Sequence, residues 1–148
     1  MALPLATSSK KINMTAWTAQ IIAAGILTAM GWLPKLTGDP LSVALSEKIG
    51  GDPVRLLVGV SELVGVVLLL VPITAPIGGV FAVGLMFGAI ASHLGPLGIV
   101  PEVTVDGETT RLAALMPAAV VTLLLGASVA LLRRDRIPVV GKTLAQAI

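Results

Sequence analysis

The chain has 148 residues, of which 55% are hydrophobic and only 12% are charged. Soluble domains carry about 25% charged residues, so this composition predicts one integral membrane domain without a separate soluble domain. The absence of cysteine excludes disulfides, thiolate nucleophiles and cysteine-bound iron–sulfur clusters, and the single histidine excludes a multi-histidine metal site within one chain. The basic residues in excess lie near the chain ends, which indicates membrane orientation rather than nucleic-acid binding.

The first predicted span covers residues 16–33 and follows a basic N-terminal tail, residues 1–14, for which we predict disorder. Trp17 and Trp32 lie near its two ends, as aromatic residues do at the two surfaces of a membrane. A cleaved signal peptide is the alternative interpretation. We disfavour it because the apolar run is too long for a signal core and no clear small-residue cleavage site follows.

Three further spans are predicted at residues 53–71, 75–94 and 112–132. Each is close to the ~20 residues that a helix needs to cross the hydrocarbon core. Pro72 and Pro76 mark a tight link between the second and third spans. The sequence therefore predicts an all-α integral membrane four-helix bundle.

The membrane domain is predicted to cover residues 15–133, and a C-terminal tail covers residues 134–148. Basic residues precede the first span and follow the fourth: Lys10, Lys11, Arg133, Arg134, Arg136 and Lys142. Since cytoplasmic segments carry an excess of Lys and Arg, both termini are predicted to be cytoplasmic, in a bacterial-type inner (plasma) membrane.

The loop between the first two spans is predicted to contain a short helix. Asp39-Pro40 and Asp52-Pro53 repeat one signal, an Asp at the N-cap followed by a Pro at the first helical position. The first pair predicts a helix at residues 41–49 lying in the membrane interface, and the second begins span two.

The loop between the last two spans has a weaker pattern. Residues 103–110, with Asp106-Gly107 at their centre, are typical of a small hairpin. An irregular loop is the alternative.

Small residues recur every four positions in three of the spans. The rows are Gly25 and Ala29; Gly84, Gly88 and Ser92; and Ala118, Thr122, Gly126 and Ala130. Because such rows let membrane helices approach closely, they predict a tightly packed bundle, within one chain or between copies.

Glu62 is the single acidic residue in the apolar run 54–71. A carboxylate at membrane depth costs about 2.5–3.5 kcal/mol on insertion scales, so it normally faces a polar cavity or a paired charge. The candidate partners lie toward the outer side of the predicted topology: Lys35, Arg55, His93 and Arg111. We therefore predict a polar pocket in the outer half of the bilayer.

In this pocket we assign catalytic roles to Glu62, as proton acceptor or ligand anchor, and to His93, as its titrating partner. Lys35, Arg55 and Arg111 are predicted ligand-binding residues, and no metal site is predicted. The alternative is structural: Glu62 pairs with one of the three cations, His93 caps the third span, and the other cations extend to the membrane surface.

Three local patterns occur in order along the chain. The first span ends with Gly31-Trp32-Leu33-Pro34-Lys35-Leu36, the second contains Gly59-Val60-Ser61-Glu62-Leu63-Val64-Gly65, and the third ends with Ala91-Ser92-His93-Leu94-Gly95. With these patterns, the chain resembles the DoxX-like family of small four-span membrane proteins over residues 15–132.

The resemblance implies the four-span fold and marks Lys35, Glu62 and His93 as site residues. The family takes its name from a subunit of a thiosulfate:quinone oxidoreductase, and other members look like accessory proteins of redox or stress complexes. Many relatives carry an arginine early in the first span, where this chain has Gln20. That departure bears on whether the polar network of the relatives is complete here.

Three functions follow as hypotheses. The first is an accessory or ligand-binding subunit of a quinone-linked membrane redox system, with no covalently bound cofactor and a quinone as candidate ligand. Its partners would be the lipid bilayer, a hydrophobic small molecule, and a redox protein or further copies of the chain, but no nucleic acid. The second is a stand-alone isomerase, cyclase or epoxide-opening enzyme with Glu62 and His93 as its acid–base pair. The third is a transporter or a packing scaffold.

Overall fold

The first span is one long helix interrupted by a wide turn. A computed structural model of the chain describes residues 5–134. Helix α1 covers Leu5–Ile26, a π-helical segment covers Leu27–Trp32, and α2 covers Leu33–Thr37. Gly38 then ends α2 in the left-handed conformation, with φ 75°.

Helix α1 begins inside the tail for which we predicted disorder. Residues 5–14 are helical, because a helix nucleated in the apolar run gains one backbone hydrogen bond for each residue added to it. The Thr15 hydroxyl also donates to the Lys11 carbonyl at 3.0 Å. The predicted C-terminal tail lies outside the described residues, apart from Arg134.

The remaining three spans are uninterrupted helices. Helix α4 covers Gly51–Leu70, α5 covers Ala75–Leu94 and α6 covers Leu115–Leu132. With the first span, they give four helices that are long and apolar enough to cross a membrane. The chain is thus mostly helical, as predicted from its apolar runs.

The short helix between the first two spans, α3, covers Pro40–Ser46. Asp39 stands at its N-cap position, as predicted, but the helix ends before Ile49, the predicted last residue. Residues 47–50 form a turn instead. The placement of α3 in a membrane interface stays a prediction.

A two-stranded antiparallel hairpin connects α5 to α6. Strand β1 covers Glu102–Val105 and β2 covers Glu108–Arg111, with Glu102 opposite Arg111. The turn residues Asp106 and Gly107 have φ of 52° and 82°, as a two-residue turn of type I′ requires. The predicted hairpin is therefore present.

Helices α5 and α6 pack closely where Gly79 and Gly126 face each other. A Cβ atom on Gly79 would lie 2.6 Å from the carbonyl oxygen of Gly126, and one on Gly126 would lie 2.9 Å from that of Gly79. Gly84 and Gly88 differ, because a Cβ on either of them would meet nothing within 4 Å. The predicted row on α5 therefore leaves open space rather than a close helix contact.

The described bundle is filled with small residues and covered with large apolar ones. Ala23, Ala75 and Ala82 are fully buried, whereas Leu57 and Phe87 are more than half exposed. This distribution is the reverse of that in soluble proteins and is typical of helices that pack within lipid.

Candidate functional site

A cavity of about 610 Å³ lies among the end of the first span, α3, α4, α5 and α6. Most of its wall is apolar, with Leu27, Met30, Val58 and Leu85 as examples. The polar side chains that line it are Lys35, Asp39, Ser42, Glu62, Ser92, His93 and Thr122. Its volume falls within the range of roughly 300–1,000 Å³ that is usual for small-molecule sites.

Lys35 and Glu62 form an ion pair in the wall of this cavity. Lys35 Nζ lies 2.9 Å from Glu62 Oε2 and 3.1 Å from Oε1, and it donates a further hydrogen bond of 3.2 Å to the Gly31 carbonyl. Glu62 is only 5% exposed. Since a buried carboxylate is tolerated when it is paired and hydrogen-bonded, Lys35 is what allows the acid to occupy α4.

Two glycines make room for this pair. A Cβ atom on Gly31 would lie 3.0 Å from Glu62 Cδ, and one on Gly59 would lie 3.0 Å from the Cβ of Lys35. Gly31 also has φ −104° and ψ −105°, which interrupt the regular helix inside the π-helical segment. The glycines of the first two sequence patterns thus let the first span and α4 approach each other at the ion pair.

Arg55 is buried but does not line the cavity. Its Nε and Nη2 each lie 2.8 Å from Asp52 Oδ1, and its Nη1 donates to the backbone carbonyl of Lys35. That carbonyl belongs to the last turn of α2, where no intrahelical donor is available. Arg55 therefore holds the main chain of Lys35 against α4 and does not reach Glu62.

Arg111 lies on the hairpin, away from the cavity. Its Nε is 2.7 Å from Glu102 Oε1, and both side chains are exposed. The pairing follows from the hairpin register, which places the two residues opposite each other. Among the three cations predicted to bind a ligand, Lys35 alone lines the cavity.

His93 lines the same cavity as Glu62 and is 5% exposed. Its Nδ1 lies 3.1 Å from the carbonyl oxygen of Gly98, in the loop that follows α5. A carbonyl only accepts, so Nδ1 carries the hydrogen, and in the neutral ring Nε2 is then an acceptor. Within residues 5–134, no hydrogen bond or ion pair joins His93 to Glu62.

Helix α3 contributes its apolar side to the cavity. Leu41 and Leu45 line the wall, together with Ile49 in the turn that follows. Lys48 Nζ donates to the Glu102 carbonyl at 2.6 Å, which ties this turn to the hairpin. The sequence predicted a helix here in the membrane interface, but it gave no sign that the apolar side of this helix would line a cavity.

A second buried polar cluster lies at the opposite end of the bundle. Gln20 is fully buried, its Nε2 donates to the Leu69 carbonyl, and its Oε1 accepts from Arg133 Nε at 2.6 Å. The Arg133 guanidinium also stands 5.3 Å from the centre of the Trp17 ring. The sequence indicated Arg133 as an orientation signal and marked Gln20 only as a departure from the DoxX-like pattern, so this contact was not predicted.

The arrangement offers hydrogen-bond acceptors and apolar surface. Among the described residues, no group of three or more His, Asp or Glu side chains is placed to hold a metal ion. Thr122 Oγ1, in the cavity wall, has no hydrogen-bond partner in this part of the chain. The site can therefore hold an apolar molecule and orient its polar head by hydrogen bonds.

Comparison with known proteins gives no match: no family model, no curated protein and no solved structure is significantly similar to this chain. The DoxX-like resemblance accordingly rests on the three sequence patterns alone.

Proposed function

We propose that the four long helices span a membrane, with both termini on its cytoplasmic side. The large apolar side chains on the outside of the bundle support this proposal. The contact of Arg133, at the end of α6, with Trp17 near the start of the first span supports a topology in which these two ends of the bundle share one side. The basic residues near both termini favour the cytoplasm for that side.

The protein is proposed to bind a lipophilic small molecule of the quinone type, as an accessory subunit of a membrane redox system. One observation carries this proposal: the cavity of about 610 Å³ is mainly apolar, yet the Lys35–Glu62 pair and His93 lie in its wall. An apolar pocket with a few convergent polar groups is the usual form of a small-molecule site. The DoxX-like patterns supply the redox context.

Purification in mild detergent tests this function, followed by mass spectrometry of the proteins and lipophilic molecules that copurify. We expect a redox partner and a stoichiometric lipophile such as a quinone or the corresponding quinol. A pure chain with neither would contradict the proposal.

The cavity itself is tested by filling it. Gly88→Leu places an isobutyl group where a Cβ meets nothing within 4 Å, and Gly88 lines the cavity. Gly25→Leu is the matched control, since Gly25 also has open space around it but does not line the cavity. We expect the first variant to lose the copurified ligand and the second to retain it. Equal ligand content in both variants would show that the ligand binds elsewhere.

A stand-alone enzyme is the second proposal. Its support is that Glu62 and the acceptor nitrogen of His93 belong to one cavity, where an acid and a base could act on the same substrate. Incubation of the purified chain with the extracted lipophile should then give a product by mass spectrometry. His93→Phe should abolish that product while the lipophile remains bound. Unchanged lipophile with the unmodified chain would exclude this activity toward it.

A further inference from the structure

We propose that the cavity selects lipophiles whose polar head carries a hydroxyl group, the quinol-like or alcohol form, over those whose head only accepts hydrogen bonds. The inference rests on the proposed ligand-binding function and narrows it to a ligand class. In the cavity wall the cationic donor is engaged, whereas several hydrogen-bond acceptors remain open.

The strongest donor in the wall is already occupied. An ammonium group has three hydrogens, and Lys35 Nζ directs its hydrogen bonds to the Gly31 carbonyl and to the two oxygens of Glu62. Arg55 also donates elsewhere, to Asp52 and to the Lys35 carbonyl, and it does not line the cavity. A carbonyl or ether head would therefore find no free cationic donor.

The hydroxyl groups in the wall add few free hydrogen-bond donors. Ser92 Oγ donates to the Gly88 carbonyl at 2.9 Å. Thr122 lines the cavity, but its hydroxyl oxygen is fully buried and therefore offers a ligand head little accessible surface. Ser42, on α3 and three residues after Asp39, can donate or accept.

Acceptors, in contrast, remain open. Each carboxylate oxygen of Glu62 accepts one hydrogen bond from Lys35 and keeps a second lone pair. His93 Nδ1 is held by the Gly98 carbonyl, so Nε2 is left as an acceptor in the neutral ring. Asp39 adds a further carboxylate to the wall. A ligand hydroxyl can donate to Glu62 or His93, whereas an oxygen without hydrogen would leave these buried acceptors unpaired.

Two probes of nearly equal shape test the selection: 4-octylphenol, which donates, and its methyl ether, 4-octylanisole, which only accepts. The dissociation constants of both are measured on the full chain in mild detergent. The same titration on Gly88→Leu gives the background from partition into the detergent. We expect the phenol to bind at least fivefold more tightly than the ether after this correction. Equal affinity, or tighter binding of the ether, would overturn the selection and leave the ligand-binding function intact.

A different result would contradict the function itself. If neither probe binds above the Gly88→Leu background, the cavity is not a site for such molecules.

Where the phenol does bind more tightly, His93→Phe identifies the acceptor, because this change removes Nε2 and leaves the Lys35–Glu62 ion pair in place. A fall of the phenol preference toward one assigns the contact to His93, and an unchanged preference assigns it to a carboxylate of the wall, Glu62 or Asp39.

The source of the hydroxyl is distinguished by a third probe, 4-octylcyclohexanol, which has the same donor on an aliphatic ring. Tighter binding of the phenol indicates an aromatic, quinol-type ligand. Tighter binding of the cyclohexanol indicates an aliphatic alcohol. Each of these results supports the hydroxyl selection and names its class.

Discussion

The α-carbon of Gly31 faces the carboxyl group of Glu62 so closely that a Cβ atom at position 31 would lie 3.0 Å from Cδ and 3.1 Å from Oε2. These two residues belong to different spans and to different sequence patterns. The empty side of a glycine is thus what makes space for the buried acid.

Gly31→Ala should therefore lower stability, by about 1–3 kcal/mol as expected for overpacking. The added methyl group would push the carboxylate away from Lys35 Nζ. Thermal unfolding in mild detergent measures the change. Gly25→Ala is the control, because nothing lies within 4 Å of a Cβ there, and it should be neutral or slightly stabilising. Equal effects of the two substitutions would contradict the close-contact explanation.

The effects of substitutions at Lys35 and Glu62 on stability should be coupled. Lys35→Met leaves a buried carboxylate without this partner, which should cost about 3–5 kcal/mol. The double variant Lys35→Met, Glu62→Leu should recover most of that loss, because it replaces the ion pair with apolar side chains. A double-mutant cycle by thermal unfolding measures the coupling. Additive effects within about 0.5 kcal/mol would mean that the two charges do not interact.

Arg55 and Arg111 should contribute very differently to the stability of the fold, although both were predicted to bind a ligand. Arg55→Met removes the contact with the Lys35 carbonyl and should cost about 1–3 kcal/mol. Arg55→Lys should not restore it, because one ammonium group cannot replace a planar guanidinium that joins two acceptors. Arg111→Ala should cost at most ~1 kcal/mol, as usual for an exposed pair. Comparable losses at both positions would contradict this assignment.

Gln20 should be structural at the other end of the bundle. Gln20→Leu removes the donor to the Leu69 carbonyl and one acceptor of Arg133, which should cost about 1–3 kcal/mol in thermal unfolding. Asn13→Ala, at an exposed position of the same helix, should be close to neutral. Ligand binding in the cavity should be unaffected by either change. A stable Gln20→Leu protein would show that the cluster contributes little.

The sequence predicted the four spans because each is a long apolar run, and membrane helices depend mainly on local composition. It also gave a short set of partners for Glu62. It did not distinguish Lys35 from Arg55, because both lie at span ends. The choice depends on the interruption at Gly31 and on the capture of Arg55 by Asp52, and both are contacts in three dimensions.

The cavity was the hardest feature to predict. A row of small residues permits either close helix contact or open space, and the outcome depends on the residues of the facing helix. Gly79 and Gly126 face each other and give contact, whereas Gly84 and Gly88 face the cavity. The inward direction of α3 is likewise a tertiary effect, because its apolar side, with Leu41 and Leu45, suits a membrane surface equally well.

The π-helical segment Leu27–Trp32 also sets the direction of everything that follows it in the first span. Each residue of an α-helix turns the chain by about 100°, so a wide turn with one additional residue rotates the later side chains by that angle relative to the earlier ones. Gln20, before the segment, and Lys35, after it, both reach α4. Removal of one residue between them would rotate Lys35 away from Glu62 while Gln20 stayed in place. The π-helical segment therefore sets the rotation about the helix axis that lets both side chains reach α4.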